Sequence, residues 1–258
     1  MKTNLITKII NIFLISSIIL SCGSKKNIYY VQNLKDNDIL NVSYFEHKIK
    51  VDDVLKIDVT AEIPESTSIF KNSSVNSTNN KESFIYNGYQ VNTMGYISFP
   101  SLGDIKVKGM TITELKEHIK ELIIKDDLIN SPSVDIKLLN GNFTILGEVN
   151  MPGRYEFFKN NINIFEAIGI AGDLTINGKR NDIKLIRTSD EKTKTIYNID
   201  LTKSSFIENS TMQIFSGDII IVNPNTTRVK NAGIIGNSGT LLSLLSFILS
   251  SIIVISSN

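Results

Sequence analysis

Few side chains in this sequence have the types and spacing that enzymatic chemistry requires. The two histidines are His47 and His118, and neither belongs to an HExxH or CxxC pattern or to a His/Asp cluster that could hold zinc. The stretch GNSGT at 236–240 lacks the GxSxG spacing of a serine nucleophile, with no histidine near it. Carboxylates are plentiful but scattered, so no glycosidase pair stands out. The sequence therefore predicts no catalytic residue, no metal site, no cofactor and no enzyme.

The nearest approach to a phosphate-binding loop is the stretch GDLTINGKR. Five residues rather than four separate Gly172 from Gly178, and Arg180 stands where a Ser or Thr would bind magnesium. We interpret the stretch as a glycine-flanked turn with two solvated cations, Lys179 and Arg180. The net charge is +1, and no concentrated basic face is visible, so nucleic acid is not an expected partner.

The single cysteine, Cys22, occupies a position that implies covalent chemistry. Lys2 and Lys8 are followed by an apolar run at 9–20, which falls short of the roughly 20 residues of a spanning helix. The ending IILSC resembles a bacterial lipoprotein signal, in which the cysteine thiol is joined to diacylglycerol and becomes residue one. We predict a signal peptide at 1–21, removed on lipidation of Cys22; an ordinary secretory signal and an uncleaved anchor are the alternatives.

The elements after this leader predict an α+β fold, beginning with a small sheet and one helix. An acidic turn at Asp52 and Asp53 leads into an alternating strand, and one of these carboxylates is expected to bond local backbone amides. Residues 111–125 predict a helix with a capping box, Thr111 and Glu114. The Ser/Asn-rich stretch 66–83 predicts a flexible loop.

A second run of elements predicts a compact β-grasp-like module. Two strands flank a Pro152-Gly153 turn, and a short helix that Asn163 and Glu166 could cap ends at Gly172. Strands at 183–187, 195–199 and 216–224 follow. The Asn140-Gly141 dipeptide marks the expected boundary between the two modules.

The C-terminal stretch 232–256 contains no charged residue and predicts a membrane helix. Its length suffices to cross a bilayer core of about 30 Å, although glycines weaken its first turns. Ser243, Ser246 and Ser250 recur at i, i+3 and i+7 and share one face, as candidates for pore lining or for helix packing. Three roles remain open for this helix: a buried helix of a soluble domain, a plain membrane anchor, or one stave of a helical barrel.

The order of these segments resembles the polysaccharide biosynthesis/export family, the Wza-like outer-membrane lipoproteins of capsule and exopolysaccharide secretion. HKIKVDDVLKIDV, YQVNTMGYISFPSLGDIKVKGMTITELKEHI and SPSVDIKLL are similar to its export domain. FTILGEVNMPGRYEF, NIFEAIGIAGDLTINGKRNDIKLIR and SGDIIIVNP are similar to its soluble-ligand-binding β-grasp (SLBB) module. The resemblance divides the chain into a lipidated segment at 22–46, an export domain at 47–140, an SLBB domain at 141–225 and the helix at 232–256.

The resemblance implies a channel subunit of the outer membrane, lipid-anchored through Cys22, with its main body in the periplasm. Copies would form a homo-oligomeric ring, for example an octamer, through which the polysaccharide passes to the cell surface. An inner-membrane polysaccharide co-polymerase, often linked to a tyrosine autokinase, is the implied partner. The alternative is a periplasmic glycan-binding or scaffold lipoprotein that opens no pore.

This sequence departs from the family pattern at two turns. The usual Gly-Asp of the first turn is Asp52-Asp53 here, which loses the freedom of glycine at positive φ. The usual Ala-Gly-Gly is Ala171-Gly172-Asp173. An aspartate thus stands at each of two positions where the family pattern has glycine.

Overall fold

The structure is a computed structural model of the chain. It describes residues 28–70, 88–159, 162–190 and 193–231, with 239, 242–244, 246–248, 250 and 251. The predicted signal peptide, Cys22, and much of the predicted loop and C-terminal helix lie outside these residues.

The first module is a small antiparallel sheet covered by one helix. Its elements are β1 (Val54–Thr60), a 3-10 helix (Pro64–Phe70), β2 (Tyr89–Gln90), β3 (Tyr96–Phe99), β4 (Gly103–Lys106), α1 (Ile112–Lys125) and β5 (Ser133–Leu138). The order β2-β1-β5 forms one sheet, while β3 and β4 form a separate hairpin. A hydrophobic core joins them, with the α1 residues Leu115, Ile119 and Ile123 fully buried.

The predicted capping box of α1 is confirmed. The Thr111 hydroxyl accepts a hydrogen bond from the Glu114 amide at 3.1 Å, and the Glu114 carboxylate accepts one from the Thr111 amide at 2.7 Å. These bonds satisfy two donors at the helix start that would otherwise have no intrahelical partner.

The start of the predicted flexible loop is ordered. Residues 66–70 belong to the 3-10 helix Pro64–Phe70, because Phe70 is buried and stacks on Phe99 with ring centroids 5.9 Å apart. The rest of the predicted loop, 71–83, lies outside the described residues.

The second module contains a mixed sheet of five strands, a two-stranded sheet and two short α-helices. Its elements are β6 (Asn142–Gly147), β7 (Gly153–Glu156), β8 (Ile162–Asn163), α2 (Ile164–Ile170), β9 (Gly178–Asp190), β10 (Thr193–Ile199), a 3-10 helix (Ser210–Met212), β11 (Gln213–Ile214), β12 (Asp218–Pro224) and α3 (Thr226–Asn231). The sheet order is β10-β9-β12-β6-β7, and β12 runs parallel to β6. The predicted cap of α2 is confirmed, since Asn163 and Glu166 form a reciprocal capping box.

Two hydrophobic clusters, one in each module, form the core of the described chain. The predicted α+β class is therefore confirmed for these residues. In the part of the C-terminal stretch that the structure describes, 242–244, 246–248, 250 and 251 are helical. Within the described residues, no helix combines the length and the apolar character needed to cross a membrane.

Candidate functional site

The two modules meet at a polar junction, which we define as His47, Lys50 and Asp53 of the first module with Arg187 and Asp218 of the second. Lys50 Nζ donates a hydrogen bond to the Thr188 carbonyl, in β9, at 3.2 Å. The segment that precedes His47 is also held in place, because the Phe45 amide donates a hydrogen bond to Gln213 Oε1 at 2.9 Å. The junction therefore joins the turn before β1 to the sheet of the second module.

Arg187 and Asp218 form a buried ion pair inside the second module. The Arg187 side chain reaches both carboxylate oxygens, with an Nη2–Oδ2 distance of 2.6 Å and an Nε–Oδ1 distance of 3.1 Å. The two side chains are 9% and 0% exposed. Arg187 Nη2 also donates to the Gln213 carbonyl at 2.6 Å, and the guanidinium lies 4.2 Å from the Phe215 ring centroid. Such a pair fixes the geometry around it, because an unpaired charge at this depth would be costly.

Local backbone geometry explains why this pair forms. The β9–β12 register places Leu185 opposite Ile220, and Arg187 and Asp218 each lie two positions further along their strands. Because side chains alternate between the faces of a strand, both charges point to the face that carries these buried side chains. The Phe215 amide donates to Asp218 Oδ2 at 2.9 Å and completes the turn before β12.

The first-module side of the junction is organised by Asp53. Its carboxylate accepts the Lys50 amide at 2.8 Å, which confirms the predicted bonding of a local backbone amide. His47 Nε2 lies 3.4 Å from the same carboxylate but makes no hydrogen bond, and the His47 ring packs on Phe215 at 5.7 Å between centroids. Burial lowers the pKa of Lys50, while the charges of Asp218 and Asp53 act in the opposite direction.

The predicted boundary at Asn140-Gly141 is tied to both modules. Asn140 Oδ1 accepts the Val54 amide at 2.9 Å, and Asn140 Nδ2 donates to the Asp52 carbonyl at 2.8 Å. On the other side, the Gly217 amide donates to the Asn142 carbonyl at 2.8 Å. The connection therefore holds the turn before β1 beside the turn before β12.

The segment 28–46, here called the N-terminal strap, crosses the second module. The amides of Val31 and Gln32 donate to the carbonyls of Leu201 and Thr202 at 2.9 and 2.7 Å. The Asn33 side chain exchanges two hydrogen bonds with Ser204. The strap thus adds backbone pairing to the loop after β10.

Tyr30 anchors the strap to the loop after α2. Its hydroxyl donates to Asp173 Oδ1 at 2.5 Å, and its ring packs edge-on against Phe165. Burial and the Asp173 carboxylate raise the pKa of Tyr30 far above its ordinary value. Tyr30 is therefore neutral near neutral pH, where its hydroxyl donates to Asp173.

The interpretation of Arg180 as a solvated cation is wrong. Its guanidinium is buried, lies 5.2 Å from the Tyr30 ring centroid and donates to the Gly178 carbonyl at 3.2 Å. The strap covers this side chain, a contact between residues distant in sequence that local pattern does not reveal. Lys179 is the partly exposed cation, and its Nζ lies 3.5 Å from Asp182 Oδ2.

The predicted site residues do not come together with the junction. Ser243, Ser246 and Ser250 are exposed and helical; the Ser246 hydroxyl donates to the Ser243 carbonyl at 2.9 Å and that of Ser250 to the Ser246 carbonyl at 2.7 Å. Cys22 lies outside the described residues. Among the residues that the structure describes, no cluster of three or more His, Cys, Asp and Glu could hold a metal ion.

Of the junction residues, sequence reasoning identified only Asp53, although one signal pointed to Arg187 and Asp218. Each is a charge beside apolar inward positions of its own strand, after Ile183 and Leu185 in β9 and before Ile220 in β12. Opposite charges at inward positions of neighbouring strands indicate a buried pair. His47 and Lys50 carried no comparable signal, because only the packing of the two modules buries them.

Comparisons with known proteins agree with the two modules. The family profile described as polysaccharide biosynthesis/export protein matches residues 41–139, and that of the SLBB domain matches residues 141–222. The chain is 29% identical over 140 residues to the EPS I polysaccharide export outer membrane protein EpsA of Ralstonia solanacearum. The matched region covers 53% of this chain and 36% of that protein. It is 31% identical over 149 residues to the protein of the same name from Ralstonia nicotianae, covering 55% and 38%.

The chain thus spans less than two fifths of the length of these relatives and matches them over a little more than half of its own. The expectation that it is not an enzyme is confirmed by the family, whose role in export is a transport role. Taken together, the two adjoining profiles place this chain in the polysaccharide biosynthesis/export family, with an export domain followed by an SLBB domain.

Proposed function

We propose that this protein is a subunit of an outer-membrane channel that exports a capsular polysaccharide or exopolysaccharide. The observation that carries the proposal is the order of the two matched domains, export then SLBB, with similarity to relatives named as polysaccharide export outer membrane proteins. In this proposal, copies of the chain form a ring and the polymer passes through its lumen. An inner-membrane co-polymerase with its tyrosine autokinase delivers the polymer.

The structure supports a rigid periplasmic body for such a subunit. The polar junction joins the two modules directly, Asn140 holds the connecting segment to the first module, and the strap, which continues into the first module, is bonded to the second. Three contacts distant in sequence restrict the relative motion of two domains far more than one linker does. A ring needs this rigidity, because a small angular error in each subunit accumulates around the circle.

We further propose that Cys22 carries the lipid that holds each copy in the outer membrane, and that the helix at 232–256 crosses it. The strap limits the reach of such an anchor, because Tyr30 lies eight residues after Cys22. A chain extends at most about 3.5 Å per residue, so the lipid and the Tyr30 contact on the second module stay within about 30 Å of each other. The second module therefore lies close to the lipid-bearing leaflet.

The experiment that tests the channel is topological. An epitope tag is placed after Asn258, and a second version carries the same tag within the stretch 71–83 that the sequence predicts as a loop. On intact cells, antibody should reach the first tag and not the second, while both should react after the outer membrane is broken. Protection of the Asn258 tag on intact cells contradicts the channel and favours a periplasmic scaffold.

Two further measurements test the remaining parts. The Cys22→Ala variant should lose incorporation of labelled fatty acid, whereas the neighbouring control Ser24→Ala should keep it; labelling that persists in Cys22→Ala contradicts the anchor. Electron microscopy of the detergent-extracted full chain should show rings with a continuous lumen, and a monodisperse monomer contradicts ring formation.

A further inference from the structure

One end of the second module lies opposite the polar junction, and we call it the distal end. The parallel strands β6 and β12 both finish there, at Gly147 and Pro224. β9 begins at the same end, because Gly178 pairs with Pro224. Arg187 and Asp218 of the junction lie toward the opposite ends of β9 and β12. The length of the sheet therefore separates the distal end from the junction with the first module.

Three segments meet at the distal end: the turn between β6 and β7, the loop between α2 and β9, and the start of α3. The Thr175 amide donates to the Glu148 carbonyl at 3.0 Å, and the Asn150 amide donates to the Asp173 carbonyl at 3.0 Å. The start of α3 joins them, because Arg228 Nε lies 3.2 Å from Glu148 Oε1. The three segments thus form one connected surface.

This surface carries four exposed apolar side chains, which we call the apolar rim. Their exposed fractions lie between 42% and 66%, and the four are Met151, Ile170, Ile176 and Val229. The hydrophobic cluster of the second module, as far as the structure describes it, includes none of them. Single exposed apolar side chains are ordinary, but several gathered on connected segments indicate an interaction surface.

The charges beside the apolar rim are compensated at two places. Lys179 Nζ lies 3.5 Å from Asp182 Oδ2, and Arg228 pairs with Glu148. Side chains as long as these can keep their charged ends in water beside an apolar surface. The distal end therefore suits partial burial in an apolar layer with a polar boundary better than attraction to a polyanion.

The two segments that are predicted to reach the membrane both leave from the distal end. α3 ends at Asn231, and no charged residue follows it in the sequence. Toward the other terminus, Asp173 holds Tyr30 at this end, eight residues after Cys22. A bilayer that holds these two segments therefore lies within reach of the apolar rim, and it is the partner that the course of the chain favours.

We propose that the distal end is a membrane-contact surface, with the apolar rim entering the interface of a phospholipid leaflet. Apolar side chains of such surfaces sink about 5–10 Å into the boundary between headgroups and acyl chains. The inference rests on the proposed outer-membrane location, and adds to it a contact made by the folded module itself. This contact sets the tilt of the module against the bilayer, which a lipid on a single tether leaves free.

The test measures depth in the bilayer at single positions of the full chain. Ile176→Cys is labelled with the environment-sensitive dye NBD, and the protein is reconstituted in vesicles of phosphatidylethanolamine and phosphatidylglycerol. Phospholipids with a nitroxide near the top of the acyl chain should remove most of the dye emission, because the side chain is expected at that depth. The unmodified chain, treated with the same dye, gives the background from Cys22.

The matched control is Ile196→Cys. Ile196 is similarly exposed, at 60%, but it pairs with Ile186 toward the junction end of the sheet, so a dye there should keep its emission. Met151→Glu added to Ile176→Cys should restore much of the emission, because a carboxylate on the neighbouring turn resists entry into the acyl boundary. Thr193→Glu, an exposed position on β10, should not restore it.

Two results overturn the membrane contact. One is equal quenching of the dyes at 176 and 196. The other is a dye at 176 that is shielded from water but is not quenched by the nitroxide lipids. In that case another copy of the chain, or another part of the same chain, covers the apolar rim.

Failure of this surface and failure of the channel give different results. An Asn258 tag that antibody reaches on intact cells, with no quenching at 176, leaves the channel standing and removes the membrane contact. A protected tag with strong quenching at 176 removes the channel and leaves the membrane contact.

Discussion

Replacing Arg187 by Met gives the sharpest test of the polar junction. The substitution removes the charge and all guanidinium bonds while keeping most of the apolar stem. It leaves Asp218, 1% exposed, with the Phe215 amide as its remaining donor at 2.9 Å. Breaking a buried pair by removing one partner costs about 3–5 kcal/mol, because the other charge stays buried and uncompensated. This is a large part of the free energy of unfolding of a typical domain, about 5–15 kcal/mol.

The double variant separates the ion pair from the packing. Asp218→Asn in the Arg187→Met background removes the orphaned charge and keeps an acceptor for the Phe215 amide, so we expect about 2 kcal/mol to be recovered. Lys116→Met is the control, since the Lys116–Asp135 pair has a comparable distance of 2.9 Å but side chains that are 31% and 51% exposed. Loss of this exposed ion pair should lower the free energy of unfolding by about 0.2–1 kcal/mol.

The assay is urea unfolding of the full chain in detergent, followed by circular dichroism. A cost of Arg187→Met no larger than that of Lys116→Met refutes the account of the junction. A double variant whose free energy of unfolding is no higher than that of Arg187→Met also refutes this account.

Three further predictions concern caps and turns. Thr111→Ala should lower the stability of the first module by about 1 kcal/mol in the same urea assay, because it removes the cap of α1. The hydrogen bond from the Asn163 amide holds the pKa of Glu166 below its ordinary 4.5. This carboxylate therefore stabilises the fold above that pH, and its contribution is lost as the pH falls through the lowered value. In Glu166→Gln, the thermal midpoint should fall less steeply than in the unmodified chain as the pH is lowered. Asp52→Gly should leave the thermal midpoint unchanged or raise it, whereas Asp173→Gly should lower it, and an equal shift for both contradicts the role assigned to the strap.

Local pattern predicted the elements whose signals lie close together in sequence. The capping boxes at Thr111 and Asn163 each need only residues three positions apart, and both formed as predicted. β9 was predicted too short, at 183–187, although the strand spans Gly178–Asp190. Its polar ends pair with β10 and β12, and cross-strand pairing is not visible in local alternation.

The junction could not be predicted because its members are brought together by packing. Lys50 and Thr188 are separated by 138 positions in sequence. Composition assigns such charged side chains to the surface, which is correct for most of them. The exception arises where two modules bury a shared boundary, and the inward positions of Arg187 and Asp218 were its sequence signal.

The two departures from the family pattern show how one substitution can have different consequences at two turns. Asp52 and Asp173 both adopt positive φ, at 68° and 71°, where glycine is unstrained and aspartate is tolerated at a small cost. The Asp52 side chain makes one long contact, with Gln90 at 3.4 Å, so it offers little to offset that cost. Asp173 instead accepts the Leu174 amide and the Tyr30 hydroxyl, and glycine could do neither. The aspartate at the second turn is therefore one of the residues that fasten the strap to the SLBB domain.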